Sequence, residues 1–270
     1  MTLDLDAYFA RIGWSGERRP TEDVLRSVHR AHLTGIPFEN LDAVLGTAPS
    51  LDLADLEAKL VRSERGGYCY EQNTLLAAAL RQLGFTVTPL AARVLLGAAP
   101  GDIRPRGHIL LRVDVPDAPG PYLADVGFGA VGGLVEPIRL EDGAEVADTP
   151  RRHRLVRTAH HGPTPQWELR AERGGSWEPQ YAFTPEPFEA PDFEMFNWYV
   201  ATHPRSPFQQ AVYAQRTLPD AHLALSGLDL VATAADGKVE VRRLTGPEGV
   251  EDVLAKEFGI RLPTGVRIPA

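Results

Sequence analysis

The hydrophobic period changes partway along this chain, and that change constrains its fold more than any other feature. Up to about residue 85 the apolar residues recur every three or four positions; from about residue 86 they alternate. The first spacing lines one face of a helix and the second one face of a strand. In the first part, Asp4 or Asp6 can cap a short helix that Gly13 ends, and Thr21 can cap a second, with Val24, Leu25, Val28 and Ala31 on one face. Asp52 can cap a third, with Leu53, Leu56 and Leu60 at helical spacing. A fourth follows Cys69, striped by Leu75, Leu76, Ala79, Leu80 and Leu83, and Gly84 suits the left-handed turn after it.

The alternating part contains "VTPLAARVLLG", "HILLRVDV", "PYLADVGFG", "RRHRLVR", "QWELRAE" and "WEPQYAF". "PDAPGP" at 116–121 and Gly174-Gly175 supply turns. A Pro-rich acidic stretch, "TPEPFEAPDFE" at 184–194, reads as a crossing linker. The remainder mixes strands, including a hairpin at Asp236-Gly237, with a helix from about Pro247 to Phe258 that Gly259 stops. The expected class is α+β: a helical domain over 1–85, an antiparallel β-domain over 86–190 and a mixed α/β domain over 191–270.

Composition narrows the function. The formal net charge is −8, which argues against a nucleic-acid-binding face. No apolar run approaches the roughly 20 residues of a membrane span, and the N-terminus has no signal-peptide core. A cytoplasmic location is the expectation. The single cysteine, Cys69, permits no internal disulfide, and one Cys among scattered His gives no metal-ligand spacing.

Cys69 has two readings, a small buried hydrophobe or a nucleophile. Gly66 and Gly67 let the backbone turn sharply before it, and it falls in the first turn of a helix. There the helix dipole favours thiolate, and the first-turn N–H groups could hold an oxyanion. A nucleophile needs a base and an orienter. Among eight histidines, His29 and His32 fall on the second helix and read as packed or solvated, while His160 and His161 sit in a turn. His108 opens a strand, and Asp125 follows 17 residues later within "YLADVGF", among apolar neighbours that make an unpaired carboxylate costly. A symmetric hairpin pairs residue 115 with 122 and hence 108 with 129, which puts His108 and Asp125 on one face but four positions apart. A slipped register would bring them together. "GFGAVG" at 127–132 matches a dinucleotide-binding glycine pattern, yet no helix follows it, so that reading falls.

Cysteine, histidine and aspartate in that order form a Cys–His–Asp core of the cysteine-protease and transglutaminase kind. The chain resembles the arylamine N-acetyltransferases of bacteria. The resemblance rests on "IPFENLD" (36–42), "RGGYCYEQN" (65–73), "GH" (107–108), "DVGFG" (125–129) and "NWYVATHPRSPF" (197–208), and it spans nearly the whole chain. It implies a helical N-terminal domain, a β-barrel and an α/β lid, with Cys69, His108 and Asp125 as the triad. It implies that Phe38, Leu95, Phe128 and Phe208 line the acceptor pocket, that Gly127, Gly129 and Thr202 lie near coenzyme A, and that Glu39 and Arg65 form a structural ion pair. One hydroxyl of the family's "STHP" is missing, because Ala201 precedes Thr202 here.

The implied reaction is ping-pong transfer of acetyl from acetyl-CoA to arylamines, hydrazines or N-hydroxyarylamines, with no permanently bound cofactor. Besides these small molecules a homo-oligomeric partner is open. A macrolactam-forming amide synthase acting on a carrier-bound thioester is the near alternative. A thiol hydrolase or transglutaminase and a non-enzymatic binding module are more distant ones.

Overall fold

The structure, a computed structural model, describes every residue other than 1, 64, 100, 117, 149, 150, 160, 161, 263, 264, 269 and 270. Helix α1 (Leu5–Ile12) starts where the Asp4 carboxylate accepts from Ala7 N and stops at left-handed Gly13. Helix α2 (Glu22–Gly35) starts with the Thr21 hydroxyl accepting from Val24 N. A two-residue strand β1 (Phe38–Glu39) and a short α3 (Leu41–Val44) follow. Helix α4 (Leu53–Leu56) continues as wider π-type turns over Glu57–Arg62; Asp52 precedes it without the expected side-chain cap. Helix α5 (Cys69–Gln82) carries the predicted stripe, with Leu75, Leu76, Ala79 and Leu80 fully buried. It packs with Tyr8, Leu25 and Val28 and with Leu111, Val113 and Tyr122 of the neighbouring sheet in one core.

Eight antiparallel strands make the second unit: β2 (Thr86–Val94), β3 (Arg106–Asp114), β4 (Tyr122–Ala124), β5 (Ile138–Arg139), β6 (Glu145–Asp148), β7 (Arg151–Thr158), β8 (Gln166–Arg173) and β9 (Ser176–Pro187). Their order is β5-β4-β3-β2-β9-β8-β7-β6, and Leu90, Leu110, Leu123, Leu155, Leu169 and Phe183 from across that order meet in one interior cluster. A sheet whose distant strands share a core is curled, here into a nearly closed barrel.

The stretch 184–194, expected as a linker, is not one. Residues to Pro187 complete β9, and α6 (Ala190–Thr202) begins three residues later. Pro191 fits there because the first helical turn leaves its N–H groups unbonded anyway. Strands β10 (Tyr213–Thr217), β11 (Ala221–Ser226), β12 (Asp229–Ala234) and β13 (Val239–Arg243) form a second antiparallel sheet, backed by α7 (Gly246–Val253) and the π-type turns Leu254–Phe258. Its first strand is β1, so the N-terminal segment just before the cysteine motif pairs directly with the C-terminal sheet.

Candidate active site

The site lies where α5, the barrel and the second sheet meet. Cys69 is the first residue of α5 and is nearly buried. The turn before it is fixed from both sides. Phe38 of β1 bridges Gly67, and Gln72 Nε2 donates to Pro37 O (2.9 Å) and Gly67 O (3.1 Å). Glu71 closes the helix start by accepting from Tyr68 N at 3.0 Å. Gly66 and Gly67 are required by space as well as by the turn. A Cβ on Gly66 would lie 2.0 Å from Pro37 O, and one on Gly67 would lie 2.7 Å from the Glu71 carboxylate.

His108 and Asp125 come together with His108 Nε2 2.7 Å from Asp125 Oδ2, both buried. Strands β3 and β4 pair Val113 with Tyr122 and Leu111 with Ala124, a two-residue slip from the symmetric register. An even slip preserves the face and removes half of the expected offset. Asp125 stands one residue beyond the end of β4, so the carboxylate turns back toward His108 rather than sitting within the ladder. Asn73 Nδ2 and Gly127 N also donate to Asp125 Oδ1, each at 2.9 Å.

These contacts set the charges. Burial disfavours a charged His108, but the Asp125 carboxylate beside it and the neighbouring Cys69 outweigh burial and push the imidazole up to about 10. Burial likewise works to raise Asp125, yet His108, Asn73 and Gly127 N hold it below the usual carboxylate range. The geometry therefore favours an imidazolium–carboxylate pair next to the sulfur.

Aromatic rings enclose this pair. Phe128 lies edge-on to His108 at 5.4 Å between centroids, and Tyr181 lies 5.2 Å from it. Phe38 and Phe208 face each other at 6.0 Å, and Phe208 also meets Tyr68. A small cavity of about 20 Å³ is bounded by Phe38, Asp125, Phe128 and Gly129. Leu95 is half-buried, its N–H bonded to Gln180 O at 2.8 Å, and no described contact ties it to these rings. Thr202 is half-buried too, and its hydroxyl donates to Trp198 O of its own helix at 2.6 Å. Ala201, in place of the family's serine, is fully buried. Gly129 takes a left-handed φ of 62°, and a Cβ there would lie 2.6 Å from the Phe38 ring.

Glu39 and Arg65 pair at 2.8 Å, as the resemblance implied, but within a larger group. Arg65 and Lys59 both reach Asp42 at 2.7 Å, and Lys59 reaches Glu71 at 2.6 Å. Three carboxylates share two cations. Burial pushes Glu71 up to about 7 despite Lys59, as expected for the acid that this balance leaves short.

Asn73, Gln72 and Tyr181 are neighbours of the site that sequence reasoning passed over, and His32 joins them. Tyr8 OH meets His32 Nδ1 at 2.8 Å and His32 Nε2 meets Gln72 Oε1 at 2.7 Å, so a buried chain of hydrogen bonds runs from α1 to the glycine turn. "YEQN" lay inside the quoted motif, and the signal was two amides in the first turns of a helix buried on every side. His29 and His32 are packed, as one of their two readings had it, with His29 against the Asp125 backbone. His160 and His161 lie outside the described residues. The "GFGAVG" segment is a loop followed by turns, not a helix.

Helices against a nearly closed barrel thus bring a cysteine, a histidine and an aspartate to their junction. The N-acetyltransferase family model matches residues 21–266. The arylamine N-acetyltransferase of Mycolicibacterium smegmatis is 42% identical over 265 residues, 97% of this chain and 94% of that protein. The crystal structure of the Nocardia farcinica arylamine N-acetyltransferase matches with a TM-score of 0.90 at 45% identity, covering 97% of this chain and 90% of that one. The Mycobacterium marinum arylamine N-acetyltransferase in complex with CoA matches with a TM-score of 0.88 at 36% identity, over 95% and 93% of the two chains. This chain belongs to the arylamine N-acetyltransferase family.

Proposed function

We propose that this protein moves an acetyl group from acetyl-CoA to the nitrogen of arylamines and hydrazines, and to the oxygen of N-hydroxyarylamines, through an acetyl-Cys69 thioester. The observation that carries the reading is the buried His108–Asp125 pair at 2.7 Å beside a cysteine on the first position of α5. His108 takes the Cys69 proton, and Asp125 holds the imidazole in place and favours its charged form. The thiolate attacks the acetyl carbonyl of acetyl-CoA. The S–C bond to Cys69 forms, the bond to CoA breaks, and the leaving thiolate takes the proton from His108. In this reading the first-turn N–H groups of α5 stabilise the oxyanion. The acceptor nitrogen then attacks acetyl-Cys69, passes its proton to His108, and leaves acetylated while the thiolate returns. Aromatic amines and hydrazines are largely unprotonated near neutral pH, so they need no prior base.

Phe38, Phe128 and Phe208 are the acceptor walls in this reading, with rings suited to a flat substrate. The same reading assigns Leu95 to the acceptor pocket and Gly127, Gly129 and Thr202 to the path of coenzyme A. The functional division follows 1–85, 86–190 and 191–270, one unit each for nucleophile, base pair and lid. A reduced thiol and an acetyl-CoA donor fit a cytoplasmic setting. No helix among the described residues is long and apolar enough to cross a membrane.

Mass spectrometry of the protein mixed with acetyl-CoA and no acceptor should find one acetyl group, on the peptide holding Cys69. Adding aniline should discharge it. Cys69→Ala should lose both the adduct and turnover. Normal turnover by that variant would overturn the mechanism.

A further inference from the structure

Strand β13 is the outer strand of the second sheet, and all five of its residues are exposed. Val239 and Val241 are 49% and 67% exposed, unusual for valines on a regular strand. Only β12 pairs with it among the described residues. An open edge with apolar side chains is a template for another strand.

The directions of its backbone groups follow from two hydrogen bonds. Ala234 N donates to Lys238 O and Leu244 N to Leu228 O, each at 2.8 Å. Bonded pairs recur at every second residue of an antiparallel ladder. Residues 238, 240, 242 and 244 therefore turn their N–H and C=O groups inward to β12. Val239, Val241 and Arg243 turn theirs outward.

We propose that two copies of this chain dimerise by pairing their β13 strands antiparallel about a two-fold axis through Val241. That register sets Val241 opposite Val241 of the second copy and Val239 opposite its Arg243. The three residues with outward backbone groups meet the same three, and each pair exchanges both bonds. Centring the axis between two residues would set outward groups against inward ones and make none. The remaining pair is Glu240 opposite Arg242, occurring twice by symmetry. It falls at the non-hydrogen-bonded position, where side chains approach most closely.

The charges fit the same axis, with an acid meeting a base at both symmetry-related positions and Val241 meeting Val241 of the second copy on the other face. Edge strands are often charged to repel partners, but here the signs complement under self-pairing. Glu240 now contacts Lys238 at 2.7 Å, and Arg242 contacts Glu257. Both pairs are exposed, so exchanging them costs little. The two five-stranded sheets would join into one continuous sheet with an isologous interface. A strand pair of this length covers less than a standard interface, so the dimer should depend on concentration.

Sedimentation equilibrium from about 1 µM to about 1 mM spans the relevant range. The wild-type average mass should rise from one chain to two. Val241→Pro removes an outward N–H without touching the bonds to β12, and should stay monomeric with unchanged melting and per-chain activity. Glu240→Arg and Arg242→Glu each set like charges opposite themselves and should weaken self-association by about tenfold or more. Mixed together they are complementary at both positions and should associate as the wild type does. If Val241→Pro fails to fold, this mixture alone decides. A wild-type protein monomeric throughout, single charge variants that self-associate normally, or a mixture no tighter than either alone would overturn the proposal.

Discussion

The smallest unit that explains the site is not the triad but the amide next to it. Asn73 donates to Ile109 O and Asp125 Oδ1, and its Oδ1 accepts from Val126 N at 3.1 Å. One buried side chain thus ties α5 to β3 and to the loop that carries the aspartate. Asn73→Ala would leave a buried N–H and a buried carbonyl unpaired, for about 1–3 kcal/mol of stability. It would also take a donor from Asp125, whose carboxylate should then protonate at higher pH. The expected outcome is a fall in kcat of roughly 10–100-fold with little change in KM, in keeping with a group that orients the pair. The acid limb of the rate profile should move to higher pH. A purely structural role would lower melting without moving that limb. Steady-state kinetics across pH beside thermal melts separate the two.

At the scale of elements, Gly127 shows how closely the loop after β4 must approach α5. A Cβ there would lie 2.7 Å from Cys69 Cα and 2.8 Å from Asn73 Nδ2. Backbone at the first distance cannot yield, so Gly127→Ala should push the 125–129 segment away from the helix and break the His108–Asp125 alignment. Activity should fall by more than about 10-fold, because a displacement near 1 Å is enough to spoil alignment. Gly120→Ala, with nothing within 4 Å of the new Cβ, should behave as wild type. Equal kinetics for the two variants would refute this packing. The contrast also marks what the sequence could tell. Helix starts at Asp4 and Thr21 and the stop at Gly13 were legible because a cap is decided within four residues. The shared face of His108 and Asp125 was legible because side chains alternate. Their register was not, since a turn rich in Pro and Gly can close at several lengths without changing that alternation. The stretch at 184–194 misled for a related reason: proline marks both linkers and first helical turns, and only the tertiary partner distinguishes them. The aromatic walls, drawn from β1, the loop after β4 and the segment after α6, became a group only through the fold.

At the scale of the whole molecule, buried histidines give stability a pH optimum. Burial pushes His29 down to about 4, and His32 and His222 down to about 3, so the folded protein keeps them neutral. The unfolded chain binds their protons near pH 6.5, so their contribution is lost as pH falls below that value. Glu71, held up at about 7, opposes them between about 4.5 and 7, but it is one group against three. Asp125 is depressed, and its contribution is lost only in more acid solution, below its ordinary value of 3.8. His108 has the opposite sign. Its folded value is raised to about 10 from 6.5, so its contribution is complete below about 6.5 and disappears as pH rises through 10. Melting temperature should therefore peak near pH 6.5–7 and decline on both sides. A tenfold difference in proton affinity between the folded and unfolded chain corresponds to about 1.4 kcal/mol, so both limbs should be measurable by calorimetry between pH 4.5 and 10. His108→Gln removes the group that titrates on the alkaline side. It should melt lower at neutral pH and lose much of the alkaline decline, while keeping the acid one. If wild type and variant fall in parallel from pH 7 to 10, His108 is not held charged by Asp125, and the ion-pair account of the site fails with it.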